Sequence, residues 1–383
     1  MQHPDTMEQR HLLLLLTLVP GIGPARIKAI AAHFPNLADV LHANFNELVQ
    51  ISGIGESLAR QMHHFLHHAP SREEAMRTAE EQITSLHRHN ATIITILDHD
   101  YPQLLKEIYD PPPCLFVRGK LPPAESLSLA VVGTRYASHY GKQVTALLCK
   151  GLVNCGITIF SGLAYGIDMA AHTATLEHGG ITVAVLASGI ETIYTDPKGK
   201  LWPKIIEQGA IISEEWIGSE LSPGKFPKRN RIISGITSGT IVIESDLKGG
   251  SLITAASALE QNREVFAIPG SIFSRTSRGT NKLIQQGQAK AIMDVEDIIS
   301  ELGGQAPKSC SAGIAPAQES RDNHLTPSEK DIIRCMGSAP IHIDALATAS
   351  GLDIPSLLVN LFELELNGTV VQHPGQFFQK KTF

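Results

Sequence analysis

At 383 residues, 43% of them apolar, the chain is longer than one compact core usually organises and apolar enough to build two or three. A formal net charge of −6 argues against a globally basic nucleic-acid binder, so contact with a polyanion must come from a local cluster of cations working against the overall field. The five cysteines are scattered without a C-x-x-C pair, no apolar run approaches a membrane span and no secretory signal is visible, which together predict a cytoplasmic protein with neither a disulfide framework nor a metal site.

Residues 1–70 read as short helices interrupted by two similar turns, Val19-Pro20-Gly21-Ile22-Gly23 and Ile51-Ser52-Gly53-Ile54-Gly55, each followed by a helix with an arginine, Arg26 and Arg60. This repeat predicts a helix-hairpin-helix, SAM-like domain, in which a Gly-hydrophobic-Gly turn aims backbone N–H groups at a phosphate. A small helical bundle that only uses glycine turns is the competing reading, since Asp39, Glu47 and Glu56 offset the nearby cations. His63, His64, His67 and His68 share one predicted helix, but no carboxylate or cysteine stands at ligand spacing, so they read as a solvated helix end.

From 84 to 302, β-branched runs (Ile93–Ile96, Leu129–Val132, Ile157–Phe160, Thr182–Leu186, Ile241–Ile243 and Val265–Ile268) alternate with helical stretches. The alternation predicts an α/β domain with a largely parallel, doubly wound, Rossmann-like sheet, whose ligands sit beyond the carboxyl ends of the strands. A linker at 303–322, dominated by Gly, Ser, Ala, Pro and Gln, leads to a separate domain at 323–383. There Thr326-Pro327-Ser328-Glu329 is a capping box, and helices near 327–337, 343–350 and 355–367 precede a hairpin, the order of a winged helix. The third helix, Pro355 to Asn367, holds Glu363 and Glu365 and no lysine or arginine, and so is expected to meet protein rather than DNA.

Chemistry concentrates after the strands. Gly133-Thr134-Arg135 and Ser161-Gly162-Leu163-Ala164-Tyr165-Gly166-Ile167-Asp168 are strand–loop–helix junctions where bare N–H groups can meet an anion. Neither carries the G-x-G-x-x-G of a dinucleotide site, and no Walker motif occurs, so no nucleotide cofactor is expected. Lys225-Phe226-Pro227-Lys228-Arg229-Asn230-Arg231 places four cations in seven residues with no acid among them. It is the sharpest phosphate-binding candidate, with Lys198 and Lys200 extending the surface; arginines satisfying buried carbonyls are the alternative. Asp168 and His172, four apart, read as a helix-cap network more readily than as an acid/base pair, and Ser161 lacks the G-x-S-x-G elbow of a hydrolase.

Tyr101-Pro102, Pro111 to Gly119, Val131-Val132-Gly133-Thr134-Arg135, Ser161 to Asp168 with Ala171-His172, Ser213-Glu214, Phe226 to Ile233, Ser251-Leu252-Ile253-Thr254-Ala255 and Pro269-Gly270 form an ordered series that resembles the DprA/Smf family over residues 95–293. Departures stand at Thr195, Gly249 and Gln288. The resemblance implies a non-enzymatic protein that binds single-stranded DNA in natural transformation and loads a RecA-type recombinase onto it. It implies that Arg135, with Gly133 and Thr134, binds phosphate; that Gly162 and Gly166, beside Ser161, let the backbone approach the strand; and that Lys228, Arg229 and Arg231, with Lys225, Phe226 and Asn230, line the groove. The stretch 279–293, with Asn281, Lys282, Leu283, Ile284 and Ile292, is implied to pair two subunits into a homodimer. The apolar group Leu283, Ile284, Ala289, Ala291, Ile292 and Met293 fits an isologous patch, and core packing explains it about as well. The competing class is a nucleotide-processing hydrolase of the same superfamily, whose P-G-G-x-G-T-x-x-E signature survives here only as the paired glycines Gly249-Gly250.

Overall fold

The computed structural model describes residues 4–123, 126–302, 326–337, 339–366 and 369–380. These fall into two compact units, one up to residue 310 and one beyond it, and the linker expected at 303–322 lies outside the described residues.

The first unit begins with helices α1 (Pro4–Leu18), α2 (Pro24–His33), α3 (Phe45–Val49), α4 (Glu56–His67) and α5 (Ala69–Arg88). Leu12 to Leu16 are all buried in α1, so the leucine run that shows no helical period is a helix surrounded by protein on all sides. Each predicted turn has a glycine in the left-handed region, Gly21 and Gly53, both at φ +79°. A helix turn that must reverse there selects glycine because a Cβ disfavours that conformation. Asn44 and Glu47 close a capping box at the start of α3. Arg26 donates from Nε to the Gly53 carbonyl and from Nη1 to the Gly21 carbonyl, each at 2.8 Å, and so ties one turn to the other. Lys28 Nζ donates to the Lys106 and Ile108 carbonyls, joining the helices to the sheet domain.

The sheet domain follows with β1 (Ala91–Thr95), α6 (Gln103–Glu107), β2 (Cys114–Gly119), β3 (Ser128–Val132), α7 (His139–Asn154), β4 (Thr158–Ser161), α8 (Ile167–Glu177), β5 (Thr182–Val185), α9 (Trp202–Gln208), β6 (Ala210–Ser213), α10 (Lys225–Gly235), β7 (Gly239–Val242), α11 (Gly250–Glu260), β8 (Glu264–Ala267), α12 (Arg278–Gln285), β9 (Lys290–Ala291) and α13 (Val295–Glu301). The nine strands run in the order β1-β2-β6-β5-β4-β3-β7-β8-β9, antiparallel at β1/β2 and β2/β6 and parallel from β6 onward. From β3 the chain builds outward through β4, β5 and β6, then crosses to place β7, β8 and β9 on the other side, so the order reverses between β3 and β7. Strands β3, β4, β5, β6 and β7 are buried throughout, as strands covered by helices on both faces must be, whereas the edge strand β1 alternates buried and exposed residues. Six of the strands coincide with the β-branched runs. β2, β6 and β9 fall outside those runs, and β9, at two residues, is too short for a periodic signal.

The second unit holds α14 (Pro327–Cys335), β10 (Ile341–His342), α15 (Ile343–Ser350), α16 (Ile354–Leu366), β11 (Val370–His373) and β12 (Phe377–Lys380), with a sheet of order β10-β12-β11. Ile332, Leu346, Leu357, Leu361, Val370 and Phe378 fill its core, and Thr326 and Glu329 form the capping box that starts α14. This is the winged-helix order expected from the sequence.

Candidate functional site

A crevice of ≈ 330 Å³ opens at the carboxyl ends of β3 and β7, where the strand order reverses and ligands of open α/β sheets collect. Its walls are Gly133 to Tyr136 after β3, Ala164 and Asp168 after β4, one face of α10 and the start of α11 at Gly249 to Ser251. The α11 N-terminus carries no capping side chain. Arg135 is exposed on the rim, its guanidinium carbon 5.1 Å from the Phe226 ring centroid, and Tyr136 beside it is 88% exposed. A cation stacked on an aromatic face, next to a helix N-terminus, suits an anion attached to a flat ring.

The cation cluster 225–231 is a helix, not a continuous basic loop, and the 3.6-residue repeat divides it. Phe226, Arg229, Asn230 and Ile233 face the crevice. Lys228 and Arg231 face a second, smaller cavity lined by Ile22, Ile27, Asp110 and Glu214, between the N-terminal helices and the sheet domain. Arg231 bonds the Asp110 carbonyl at 2.6 Å and pairs with the Asp110 and Glu214 carboxylates, and Lys225 Nζ pairs with Glu215 at 2.8 Å. Burial pushes the Glu214 carboxyl above its ordinary range, with Arg231 opposing. Arg229 is 6% exposed; its Nη1 donates to the Gly162 carbonyl at 2.6 Å and the Val185 carbonyl at 2.7 Å. Its charge therefore holds three segments together below the crevice floor. Three side chains expected along one groove are thus paired within the fold, Arg229 and Arg231 by carbonyls and carboxylates from other segments and Lys225 by the nearby Glu215.

The glycines also serve the interior. A Cβ at Gly162 would lie 2.1 Å from Arg229 Nη1, and at Gly166, φ +84°, it would lie 2.3 Å from the Thr134 carbonyl oxygen. Ser161 is buried and donates to the Val131 carbonyl at 2.6 Å. Lys198 and Lys200 are exposed on the loop after β5, outside the crevice wall. Asp168 is buried in the first turn of α8, where its Oδ2 accepts from the Gly162 and Ala164 N–H groups. Burial raises its carboxyl above the ordinary range, opposed first by Arg229. His172 is fully buried with Nδ1 at 2.7 Å from Thr182 Oγ1, and burial lowers its ring to about 3. Asp168 thus caps the loop at the crevice wall, and His172 packs against Thr182 behind it. Among the described residues no group of three potential ligands could hold a metal; His63 stacks on His67 and His64 on His68 instead.

Glu244 went unnoticed in the sequence. It lies two residues beyond the end of β7 and is 1% exposed; Oε2 accepts from the Ser138 N–H, and Oε1 from the Ser138 and Thr276 hydroxyls at 2.6 and 2.8 Å. Its backbone carbonyl accepts from the Thr134 N–H at 2.8 Å. One acid thus fixes the Arg135 loop from behind, and an acid ending the apolar run Ile241-Val242-Ile243 is the signal that could have revealed it.

The stretch expected to pair subunits is partly core. Ile292 is fully buried, Leu283 is 7% exposed and Ala289 9%, while Asn281 clamps Gly270 through both its N–H and its carbonyl. Lys282 is exposed, Ile284 half-buried and Met293 79% exposed. Of the apolar group that fits a dimer patch, Leu283, Ala289 and Ile292 are thus buried, Ile284 is half-buried, and Ala291 and Met293 are exposed. Among the described residues no single helix is long and apolar enough to cross a membrane.

Comparison with known proteins gives three family matches: DNA recombination-mediator protein A over residues 92–303, the DprA winged helix domain over 315–376 and a SAM-like helix-hairpin-helix tandem over 13–67. The chain is 32% identical to Protein Smf of Synechocystis sp. over 397 residues, covering 95% of this chain and 96% of that one. The X-ray structure of DNA processing protein A from Streptococcus pneumoniae superposes with a TM-score of 0.63 at 31% identity, over 79% of this chain and 99% of that one. A structure of DNA processing protein A from Helicobacter pylori, described for its single-stranded DNA binding mode, superposes with a TM-score of 0.51 at 28% identity, over 57% of this chain and 97% of that one.

Proposed function

Because the chain belongs to the DNA recombination-mediator protein A family, we propose that the crevice between β3 and β7 binds the backbone of single-stranded DNA and that the protein hands the strand to a RecA-type recombinase. The observation that carries the reading is Arg135 stacked on Phe226 at the rim, beside the uncapped start of α11. A phosphate meets the guanidinium and the helix N-terminus, and an unpaired base meets the rings; a duplex keeps its bases stacked inside and offers only the first contact. The H. pylori relative's binding of single strands supports this. Binding rather than catalysis is favoured because the one carboxylate lining the crevice among the described residues, Asp168, is taken up by the Gly162 and Ala164 N–H groups, and His172 lies outside the crevice wall. In this reading two subunits join their crevices in the cytoplasm during natural transformation.

Fluorescence anisotropy with matched single- and double-stranded oligonucleotides across a salt titration tests the assignment. Single strands should bind more tightly. Equal affinity for both, or release of free base from nucleoside monophosphates, overturns the reading in favour of a general polyanion site or a hydrolase. Recombinase loading is tested separately, as faster strand exchange on strands already coated with a single-strand-binding protein.

A further inference from the structure

Three exposed tyrosines follow three consecutive strands. Tyr136 lies beyond β3, Tyr165 beyond β4 and Tyr194 beyond β5, at 88%, 55% and 53% exposure. β3 pairs with β4 and β4 with β5, all parallel, so the three loops leave the same edge of the sheet side by side, with strand ends roughly 5 Å apart. Contacts hold neighbouring loops together. The Thr195 hydroxyl donates to the Leu163 carbonyl, joining the Tyr194 loop to the Tyr165 loop. The Ile167 N–H donates to the Thr134 carbonyl at 3.2 Å, and Gly166 packs on the same carbonyl, joining the Tyr165 loop to the Arg135-Tyr136 loop.

The side chains are placed for an outside partner. Tyr101 and Tyr140 anchor their hydroxyls on the Pro112 and Pro269 carbonyls, whereas Tyr136, Tyr165 and Tyr194 make no such bond among the described residues. The loops 133–138, 162–166 and 186–201 carry the exposed cations Arg135, Lys198 and Lys200. Their two acids are turned to backbone: Asp196 accepts from the Lys200, Leu201 and Trp202 N–H groups, and Glu191 from the Gly218 N–H. Aromatic faces interleaved with cations, with the acids withdrawn, match a polyanion that carries flat, unpaired rings.

We infer that Tyr136, Tyr165 and Tyr194 form a stacking track along which a single strand runs from the crevice toward the Lys198 and Lys200 loop. This rests on the crevice being the single-strand site and sets the direction of the strand: over the β4 and β5 ends, away from the exposed Ile272 and Phe273 beyond β8.

The test uses the full chain and two strands of about 15 nucleotides, oligothymidine and its abasic counterpart. Replacing Tyr165→Ala and Tyr194→Ala together should weaken oligothymidine binding by about fivefold or more per ring and leave abasic binding at the wild-type level, because only base stacking is lost. The log–log salt slope should hold, since no phosphate contact is removed, and Tyr165→Phe with Tyr194→Phe should restore affinity. Unchanged oligothymidine affinity in the alanine variant, or an equal loss on both strands, overturns the track and leaves this face to a protein partner. Loss that follows Ile272→Ala with Phe273→Ala instead overturns its direction. If the wild type binds neither strand, the crevice reading itself fails; if it binds and the tyrosines do not matter, only the track does.

Discussion

Arg135 holds its guanidinium over Phe226 at the surface, while Arg229 spends its own on the Gly162 and Val185 carbonyls, and the two arginines should fail differently. Arg135→Ala is expected to weaken single-strand binding almost equally on all sequences and to flatten the salt dependence by roughly 0.7 in log–log slope, with the melting temperature unchanged. Arg229→Ala strips two buried carbonyls of their donor and leaves Asp168 without its neighbouring cation, so denaturant unfolding should show a loss of about 3 kcal/mol or more. A folded, fully stable Arg229→Ala with weakened binding would return that residue to the surface role read from its sequence. His172 carries a pH signature. Its ring titrates at about 3 in the fold, against an ordinary value near 6.5. Between those values the unfolded chain binds a proton that the fold refuses, so stability is fully present above about 6.5 and is lost as pH falls, by about 1.4 kcal/mol per unit. Asp168, raised by burial, acts in the opposite sense above its unfolded value, since its folded carboxyl keeps a proton longer. Urea unfolding of the wild type and His172→Gln between about pH 4 and 7 should therefore give lines of different slope; parallel lines would remove His172 from the account.

At the scale of single elements, α10 shows why a charge cluster counted along the sequence overstates a surface. Four cations in seven residues look like one basic strip, but a helix turns about 100° per residue and sends Lys228 and Arg231 away from Phe226 and Arg229. Phe226→Ala should lower single-strand affinity about fivefold, whereas Lys225→Ala, whose ammonium is already held by Glu215, should change it less than about twofold; a reversed ranking in the anisotropy assay would count against the helix-face division. The same reasoning applies to α16. Ile354, Leu358, Val359 and Phe362 are all exposed on it, and Glu363 and Glu365 are its charged residues, so it offers an apolar, acidic face. Removing residues from 326 onward should leave DNA affinity near the intact value, and a large loss at moderate salt would assign the winged helix to DNA.

For the whole molecule, the burial of Leu283 and Ile292 decides which variants can test subunit pairing. A charge at Leu283 would strike the core and unfold the domain, so a monomer made that way would prove nothing. Lys282→Glu and Met293→Glu sit on exposed positions and should keep the melting temperature. If the stretch 279–293 pairs two subunits, they should sediment as monomers that bind short strands normally but retain long ones poorly, because joining two crevices raises the local concentration of one strand segment near the other. Wild-type sedimentation of both variants would place the pairing surface elsewhere.

What the sequence determined by itself was the local and periodic part. Alternating β-branched runs and helices specify a doubly wound sheet; the turns at Gly21 and Gly53 require a glycine at positive φ; Thr326 and Glu329 announce a helix start; and Gly133-Thr134-Arg135 marks a strand end, which opens on the crevice. Each depends on residues a few positions apart. The tertiary structure alone decided which cations face outward, because Arg229 is claimed by carbonyls 67 and 44 residues away and Arg231 by Asp110 and Glu214. It also decided that Glu244 backs the Arg135 loop, that Leu283 and Ile292 belong to the core, and that three tyrosines far apart in sequence stand in loops beyond adjacent strand ends. A charge or a ring has no direction until distant chain segments either satisfy it or leave it to solvent, and that choice is made only when the sheet closes.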